Sequence, residues 1–244
     1  RGDLHRPADL AEEVARIHGY ERIPARMPVV RQTGGLTVQQ RAERAVHVAA
    51  RAGGFHEVRT RPFTGERTLV GAVPSDGRVV LENPLAKDAA TMAPSLVEGL
   101  LAAVRRNVGQ GRPGVALYEL ARVFRPSGDP MDAALKALTD YWRWQDTAGA
   151  ALPTQPRTLA LAAQGLRGGD EWLDDDPWDV YDLLAVLDEV VARAAPPDGH
   201  DWQLVREPTE REGLHPGRTA RLVLRGTEVG VVGQLHPDEA ERRD

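Results

Sequence analysis

The chain has 244 residues, of which 27% are charged, with a formal net charge of -5 and no cysteine. This length admits one large domain or two small ones, while the lack of cysteine excludes disulfides, thiolate zinc sites and cysteine nucleophiles. The negative net charge argues against a protein whose whole surface grips nucleic acid, and no run approaches the roughly 18 apolar residues of a membrane span.

The head of the chain concentrates carboxylates within a short stretch. They are Asp3, Asp9, Glu12 and Glu13. Apolar residues recur at helical spacing after Asp9, which predicts a helix with Asp9 as its N-cap and Glu12 completing a capping box. Acidic side chains suit the positive N-terminus of a helix, but oxygen ligands converging from a loop and a helix also suit a hard cation such as Mg²⁺. Charge density alone leaves both interpretations open.

The segment DLAEEVARIHGY at residues 9–20, followed by Ile23-Pro24, resembles a signature in the beta subunits of bacterial phenylalanyl-tRNA synthetases. The resemblance implies that the four carboxylates form a magnesium site shared with the alpha subunit. It also implies that residues 1–30 are the tail of a small domain that precedes a catalytic-like module. Gly19 follows the predicted helix, where a positive φ favours glycine.

A helix and a strand are predicted next. Thr37 as N-cap and Gln40 as its capping-box partner predict a helix to about Ala52. Alternation predicts a strand over Phe55–Thr60. This order resembles motif 1 of class II aminoacyl-tRNA synthetases, which builds their subunit interface. We therefore expect the small-residue face of Val38–Ala52 to be partly exposed apolar surface.

Further strings continue the resemblance. Residues 78–81 are a predicted strand that runs into an Asn-Pro-Leu string, and Ser95 is the predicted N-cap of a helix to Val108, also expected to be partly exposed. Gly99 inside that helix costs about 1 kcal/mol relative to alanine, so we expect it to permit close packing against another backbone. The apolar run at 115–125 predicts a buried strand.

The catalytic elements of a class II synthetase are expected to be missing. Residues 92–101 (MAPSLVEGLL) and 118–124 (YELARVF) resemble the family strings M-R-T-S-L-L-P-G-L-L and F-E-I-G-R-V-F, with Ala93 where arginine is usual. Arg122 resembles the motif 2 arginine that holds the ATP α-phosphate. No stretch matches the motif 3 pattern G-x-G-x-E-R, so a second guanidinium for the pyrophosphate is lacking. We interpret Arg122 as structural.

The C-terminal half is expected to be rich in strands. The predicted strands are Thr158–Ala163, Trp202–Glu207, Thr219–Leu224 and Glu228–Val232. Helices are predicted at Asp132–Tyr141, within a weak stretch at 131–156, and after Pro177, where the acidic run 174–176 is a solvated flank. Turns are predicted at Pro216-Gly217 and Arg225-Gly226, the latter joining a hairpin.

Two histidine strings complete the resemblance. HPGR at 215–218 and GQLHP at 233–237 resemble the family's H-P-G-R-x-A and G-x-L-H-P. His215 and His236 each precede proline at a predicted turn, which favours a hydrogen-bonding role over a metal or acid–base pair. Residues 238–244 are the expected start of a linker to an anticodon-binding domain.

The sequence thus predicts an α+β fold, with one antiparallel sheet of about six strands carrying helices on one side, over residues 31–237. Its order of strings resembles a class II synthetase catalytic domain without its active site. The resemblance implies a cytoplasmic alpha2-beta2 heterotetramer in which the alpha subunit binds ATP and attaches phenylalanine to tRNA, supported by this chain. A local patch at Arg105, Arg106 and Arg112 is a candidate tRNA contact, although a solvated helix face is the simpler interpretation.

Two other function classes stay open. A complete class II enzyme would form aminoacyl adenylates from this chain alone, and the missing motif 3 argues against it. A magnesium-dependent enzyme or binding module built on the N-terminal acidic cluster would need a general base, for which His5 and His18 are the local candidates.

Overall fold

The computed structural model describes residues 2–27, 29, 33–65, 78–126, 153–168, 176–196 and 200–243. The chain divides into two compact units, Arg1–Leu36 and Thr37–Asp244. The helix predicted at Asp132–Tyr141 lies outside the described residues, as do two members of the acidic run at 174–176. Within the described ranges, none of the helices combines the length and apolar composition that crossing a bilayer requires.

The first unit contains helix α1, Pro7–His18, followed by a 3-10 turn at Tyr20–Arg22. The N-cap of α1 is Arg6, with a proline in the first turn, so the prediction of Asp9 as N-cap was wrong. Asp9 is the third helical residue, and its carboxylate accepts a hydrogen bond from the Arg6 backbone N–H. Gly19 ends the helix at φ 100°, as predicted for a glycine there.

The second unit contains both helices and strands. The helices are α2 (Val38–Ala52), α3 (Val97–Val108), α4 (Val180–Ala194) and α5 (Pro237–Glu241). The strands are β1 (His56–Glu57), β2 (Phe63–Thr64), β3 (Thr91–Met92), β4 (Gly114–Arg122), β5 (Arg157–Gly165), β6 (Leu204–Pro208), β7 (Leu214–Leu224) and β8 (Thr227–Leu235). The mixed α+β class is as predicted.

The strands of the described residues form three sheets, in the orders β1-β4-β5, β2-β3 and β6-β7-β8. Only β1 and β4 pair in parallel. The prediction of one sheet of about six strands was therefore wrong. Helix α4 explains the difference, because its Val186 packs in the β4–β5 core while Leu184 and Leu187 pack against β6–β8. The two larger sheets are joined through this helix rather than by strand pairing.

Helices cover both faces of the β4–β5 pair, not one side as predicted. Alternate residues of a strand point to opposite faces. On one face Ala116 and Tyr118 pack with residues from α2 and α4, and on the other Val115 and Leu117 pack with α3. Because both faces are buried, β4 is apolar along nearly its whole length, as its sequence indicated.

The helix faces expected to be partly exposed are buried only in part. Leu100 and Val104 of α3 are 0% and 4% exposed, and Ala49 of α2 is 1% exposed, so these residues belong to the core. On the predicted face of α2, in contrast, Val38, Ala42 and Ala45 are half-buried and Ala52 is exposed, as expected. Val48 of α2 remains exposed.

Helix boundaries follow hydrogen-bonding side chains. Thr37 and Gln40 form the predicted capping box of α2. Ser95 lies one residue before the N-cap of α3, and its Oγ accepts from the Val97 N–H. Helix α4 begins after Asp179, which caps it with Asp182, rather than at Pro177 as predicted.

Differences in the strands are local. The predicted hairpin turn is present, with Arg225 at φ 51° and Gly226 at φ 78°, the conformation of a type I′ turn. The turn predicted at Pro216-Gly217 was wrong, since these residues lie within β7 at a register shift between Leu214 and Thr219. Strand β1 is shorter than the predicted Phe55–Thr60.

Candidate functional site

The acidic head of the chain is organised around helix α1. Oδ2 of Asp9 accepts hydrogen bonds from the backbone N–H groups of His5 (3.0 Å) and Arg6 (2.8 Å), and Oδ1 accepts from the Arg6 guanidinium (3.1 Å). These bonds, led by that from the Arg6 backbone, hold the pKa of the Asp9 carboxyl below its ordinary value. The Asp9 carboxylate, at the third position of the helix, therefore completes the capping box with Arg6.

The other three acids are arranged differently. Glu13 pairs with Arg16 one turn along the helix, while Asp3 and Glu12 are exposed. Carboxylate oxygens are suitable donors for Mg²⁺. In the part of the chain that the structure describes, however, no group of three or more acidic or histidine side chains is placed to hold a metal ion. The assignment of Asp3, Asp9, Glu12 and Glu13 to a magnesium site stays a prediction.

The two local histidines differ in their contacts. Nε2 of His5 lies 2.6 Å from the carbonyl oxygen of Gly2. His18 is exposed in the last turn of α1, where a basic side chain suits the negative end of the helix. Both positions have an adequate structural explanation.

The motif 2-like arginine lies at the end of β4. Arg122 pairs with Arg157 in the β4–β5 register, and its Nη1 donates to the carbonyl oxygen of Gln155 at 3.2 Å. This contact connects the end of β4 to the segment that enters β5. It accords with the interpretation of Arg122 as a structural residue.

Strand β4 also contains a buried carboxylate that was not predicted from the sequence, Glu119, which precedes Arg122 by three residues. Glu119 is 3% exposed. Its Oε1 accepts from the Thr60 backbone N–H at 3.0 Å and its Oε2 from the Thr60 hydroxyl at 2.7 Å. A Cβ on Gly99 would lie 2.5 Å from that hydroxyl oxygen, so the glycine makes room for Thr60. The expected close packing at Gly99 is confirmed, but its neighbour is the Thr60 side chain and not another backbone as predicted.

Polar contacts attach α2 to the strands beneath it. Nδ1 of His47 lies 3.0 Å from the Tyr118 hydroxyl, and that hydroxyl lies 3.5 Å from Oε2 of Glu57. Burial raises the pKa of the Tyr118 phenol, and the Glu57 carboxylate adds to the effect. Arg157 makes two hydrogen bonds to Glu43 and thereby lowers the pKa of that carboxyl. The helix resembling motif 1 is thus fixed to both β4 and β5.

The histidines of the C-terminal strings both accept backbone hydrogen bonds. Nδ1 of His215 accepts from the Gly217 N–H at 3.1 Å, within the irregular part of β7. Nδ1 of His236 accepts from the Asp238 N–H at 3.3 Å and caps α5. The predicted hydrogen-bonding role is confirmed for both. The first residues of the segment 238–244 lie in α5, and its assignment as the start of a linker stays a prediction.

Comparisons with known proteins agree over nearly the whole chain. The family model described as the phenylalanyl tRNA synthetase beta chain CLM domain matches residues 23–244. The chain is 35% identical over 259 residues to the phenylalanine–tRNA ligase beta subunit of Streptomyces avermitilis and 37% identical over 256 residues to that of Thermobifida fusca. Each match covers 97% of this chain and 29% of the relative. The chain thus spans under a third of the length of these relatives.

A solved structure supports the fold. The pyrrolysyl tRNA synthetase PylSc of Desulfitobacterium hafniense superposes with a TM-score of 0.50 at 14% identity, covering 83% of this chain and 60% of that one. At this identity the likeness concerns the fold alone, which the chain shares with that tRNA synthetase. Together with the family match and the two relatives, it leads to one assignment: the chain belongs to the phenylalanyl-tRNA synthetase beta chain family.

Proposed function

We propose that this chain is a non-catalytic module of a phenylalanyl-tRNA synthetase beta subunit. In this proposal it supports a catalytic alpha subunit, which attaches phenylalanine to its tRNA using ATP, within a cytoplasmic alpha2-beta2 heterotetramer. The observation that carries the proposal is that the sequence offers only one arginine, Arg122, in a position that resembles the ATP-binding arginines of a class II synthetase. Arg122 contacts the Gln155 carbonyl, and no G-x-G-x-E-R string supplies a second guanidinium. Adenylate formation needs fixed cations around the triphosphate.

A supporting role also fits the way α2 is held. Its contacts through His47 and Glu43 reach β4 and β5, so the helix and the strands are expected to move as one body. A rigid surface reduces the ordering cost of association with a partner. We propose that the alpha subunit contacts this module and that tRNA is positioned by the assembled protein.

Removal of the Arg122 guanidinium tests whether this chain takes part in the chemistry. In a full-length beta subunit co-purified with its alpha subunit, we expect Arg122→Ala to leave the rate of phenylalanine-dependent pyrophosphate exchange within about twofold of wild type. An arginine that stabilised the transferring group would instead cost on the order of 10²–10³-fold.

Arg59→Ala, a change at an exposed arginine in the same unit, is the matched control. A loss of exchange beyond about a hundredfold for Arg122→Ala alone would contradict the proposal. Exchange by the wild-type beta subunit without its partner would support the complete class II enzyme instead.

We also propose that Asp3, Asp9, Glu12 and Glu13 contribute oxygen ligands to a Mg²⁺ site completed by the alpha subunit. The donor type fits the ion, and Asp3 and Glu12 are exposed. The four side chains do not form a metal-binding group by themselves within the described residues. Completion by another chain is therefore part of the proposal.

Calorimetric titration of Mg²⁺ tests this site without an activity readout. We expect the alpha–beta complex to bind Mg²⁺ at least about tenfold more tightly than the beta subunit alone, and Glu12→Gln to abolish the difference. Glu21→Gln, at an exposed acid of the same unit, serves as control. Asp9 is unsuitable for the first test because its substitution also removes the capping-box hydrogen bonds at the start of α1. Equal Mg²⁺ affinity of the wild-type and Glu12→Gln complexes would contradict the assignment of these acids to a Mg²⁺ site.

A further inference from the structure

A cavity of about 400 Å³ lies beside the C-terminal half of α3, near the residues that follow α5. Arginines from two parts of the chain line it, namely Arg105 and Arg106 from the last turn of α3 and Arg243 from beyond α5. The apolar lining comes from Leu101 and Ala102. We call this feature the arginine groove.

Arg243 is held firmly in the groove. Its two Nη atoms donate to the carboxylate of Glu98 at 2.8 and 2.9 Å, and Nη2 lies 3.6 Å from Glu239. The Glu98 carboxylate raises the pKa of the Arg243 guanidinium. Its Nε–H is buried and has no hydrogen-bond partner among the described residues.

The charges of the groove contrast with those of the chain. Three arginines line it, and the two neighbouring carboxylates, Glu98 and Glu239, both contact Arg243. The whole chain carries a formal net charge of -5. A local excess of arginine on an acidic protein attracts anions to one place.

The helix dipole explains only part of this arrangement. Basic residues are favourable in the last turn of a helix, which accounts for Arg105 and Arg106 taken alone. The helix dipole does not account for Arg243. This residue lies 145 positions after Glu98 in the sequence but lines the same cavity. The apolar lining is too small for the buried aromatic or aliphatic anchors that dominate protein interfaces. Guanidinium groups, in contrast, match phosphate oxygens in both geometry and charge.

We propose that the arginine groove binds the phosphate backbone of RNA, with Arg105 and Arg106 as the contacting cations and Arg243 fixing the wall behind them. The inference rests on the proposed function, because it assigns to this surface a part in holding tRNA. Phosphate contacts of this kind position the RNA and carry no sequence information.

Filter binding of a tRNA-Phe transcript to the full-length alpha–beta complex tests the groove. For the double variant Arg105→Ala/Arg106→Ala we expect the dissociation constant to rise about 5- to 20-fold near physiological salt. We expect the slope of log K against log salt to fall by about 1–2, because one or two phosphate contacts are lost. Arg193→Ala, in the last turn of α4, is the matched control and should change neither quantity.

Two further measurements on the same preparations separate a loss of RNA binding from a loss of folding or of subunit assembly. Circular dichroism establishes that the variants are folded, and light scattering establishes whether alpha and beta subunits still associate. If the slope of log K against log salt is unchanged in a folded and assembled double variant, the arginine groove does not bind RNA. The proposed function is not affected by that result. Loss of assembly in the double variant alone would identify the groove as a protein-docking surface and also overturn the inference. Failure of the wild-type subunits to associate would instead refute the proposed function.

Discussion

Replacement of Gly114 by alanine is expected to lower the free energy of unfolding by about 3 kcal/mol or more. An added Cβ would lie 1.7 Å from the carbonyl oxygen of Leu166, a main-chain atom that no rotamer change can move. Its register partner Gly165 is equally confined, at φ 78° and with an added Cβ 2.1 Å from the Pro113 carbonyl oxygen. The β4 and β5 backbones must separate to admit either side chain.

That separation is costly because β4 and β5 lie between two buried clusters. Residues of α2 and α4 pack on one face and residues of α3 on the other, so displacement of either strand disturbs both. Urea denaturation followed by circular dichroism measures the loss as a shift of the transition midpoint.

Gly230→Ala is the matched control for this experiment. Gly230 also lies in a strand, β8, but its added Cβ would be 3.8 Å from the nearest atom, on the side chain of Leu222. We expect its stability to change by no more than about 0.5 kcal/mol. Equal midpoints for Gly114→Ala and Gly230→Ala would show that the close approach of β4 and β5 does not constrain the fold.

Helix ends illustrate what local sequence could and could not predict. The Thr37 and Gln40 pair placed the start of α2 correctly, because both partners of the capping box are within one turn. Two helix starts near prolines differ from the predictions. Helix α1 begins at Pro7 and not after Asp9, and α4 begins after Asp179 and not at Pro177. A side chain that reaches the free N–H groups was the better indicator for α4.

Sheet organisation was predictable only in part. The apolar run of β4 indicated a strand buried on both faces, and this is observed. Hydrophobic periodicity defines which face of a strand is buried but not which strand lies beside it. The division into three sheets, with α4 between the two larger ones, depends on contacts across long stretches of chain and was therefore missed.

The polar contacts of the candidate site show the same limit. Acidic residues close together in sequence, such as Asp9 and Glu12, indicate a candidate site directly from their spacing. Glu119 and Thr60 are 59 residues apart, and no spacing rule connects them. The available signal was a single carboxylate within an otherwise apolar strand, because a buried charge requires a dedicated partner.

Substitutions at Thr60 and Glu119 are expected to cause the second large loss of stability. Thr60→Val keeps the shape of the side chain but removes the hydroxyl donor from a buried carboxylate, so we expect a loss of about 2–3 kcal/mol in the free energy of unfolding. Glu119→Leu should also destabilise, because the Thr60 N–H and hydroxyl then lose their acceptor. Urea denaturation of both single variants and of the double variant measures these values.

The double variant decides whether the contact itself is responsible. With hydroxyl and carboxylate both replaced by apolar groups, only the Thr60 N–H lacks a partner, so the double variant should lose less stability than the two single variants together, with a coupling of about 1–2 kcal/mol. Thr60→Val combined with the distant Gly230→Ala should be additive within about 0.5 kcal/mol. Additivity of Thr60→Val and Glu119→Leu would mean that the two side chains contribute separately. In that case Gly99 would be required by the volume of Thr60 alone, and not by the hydrogen bond that orients it.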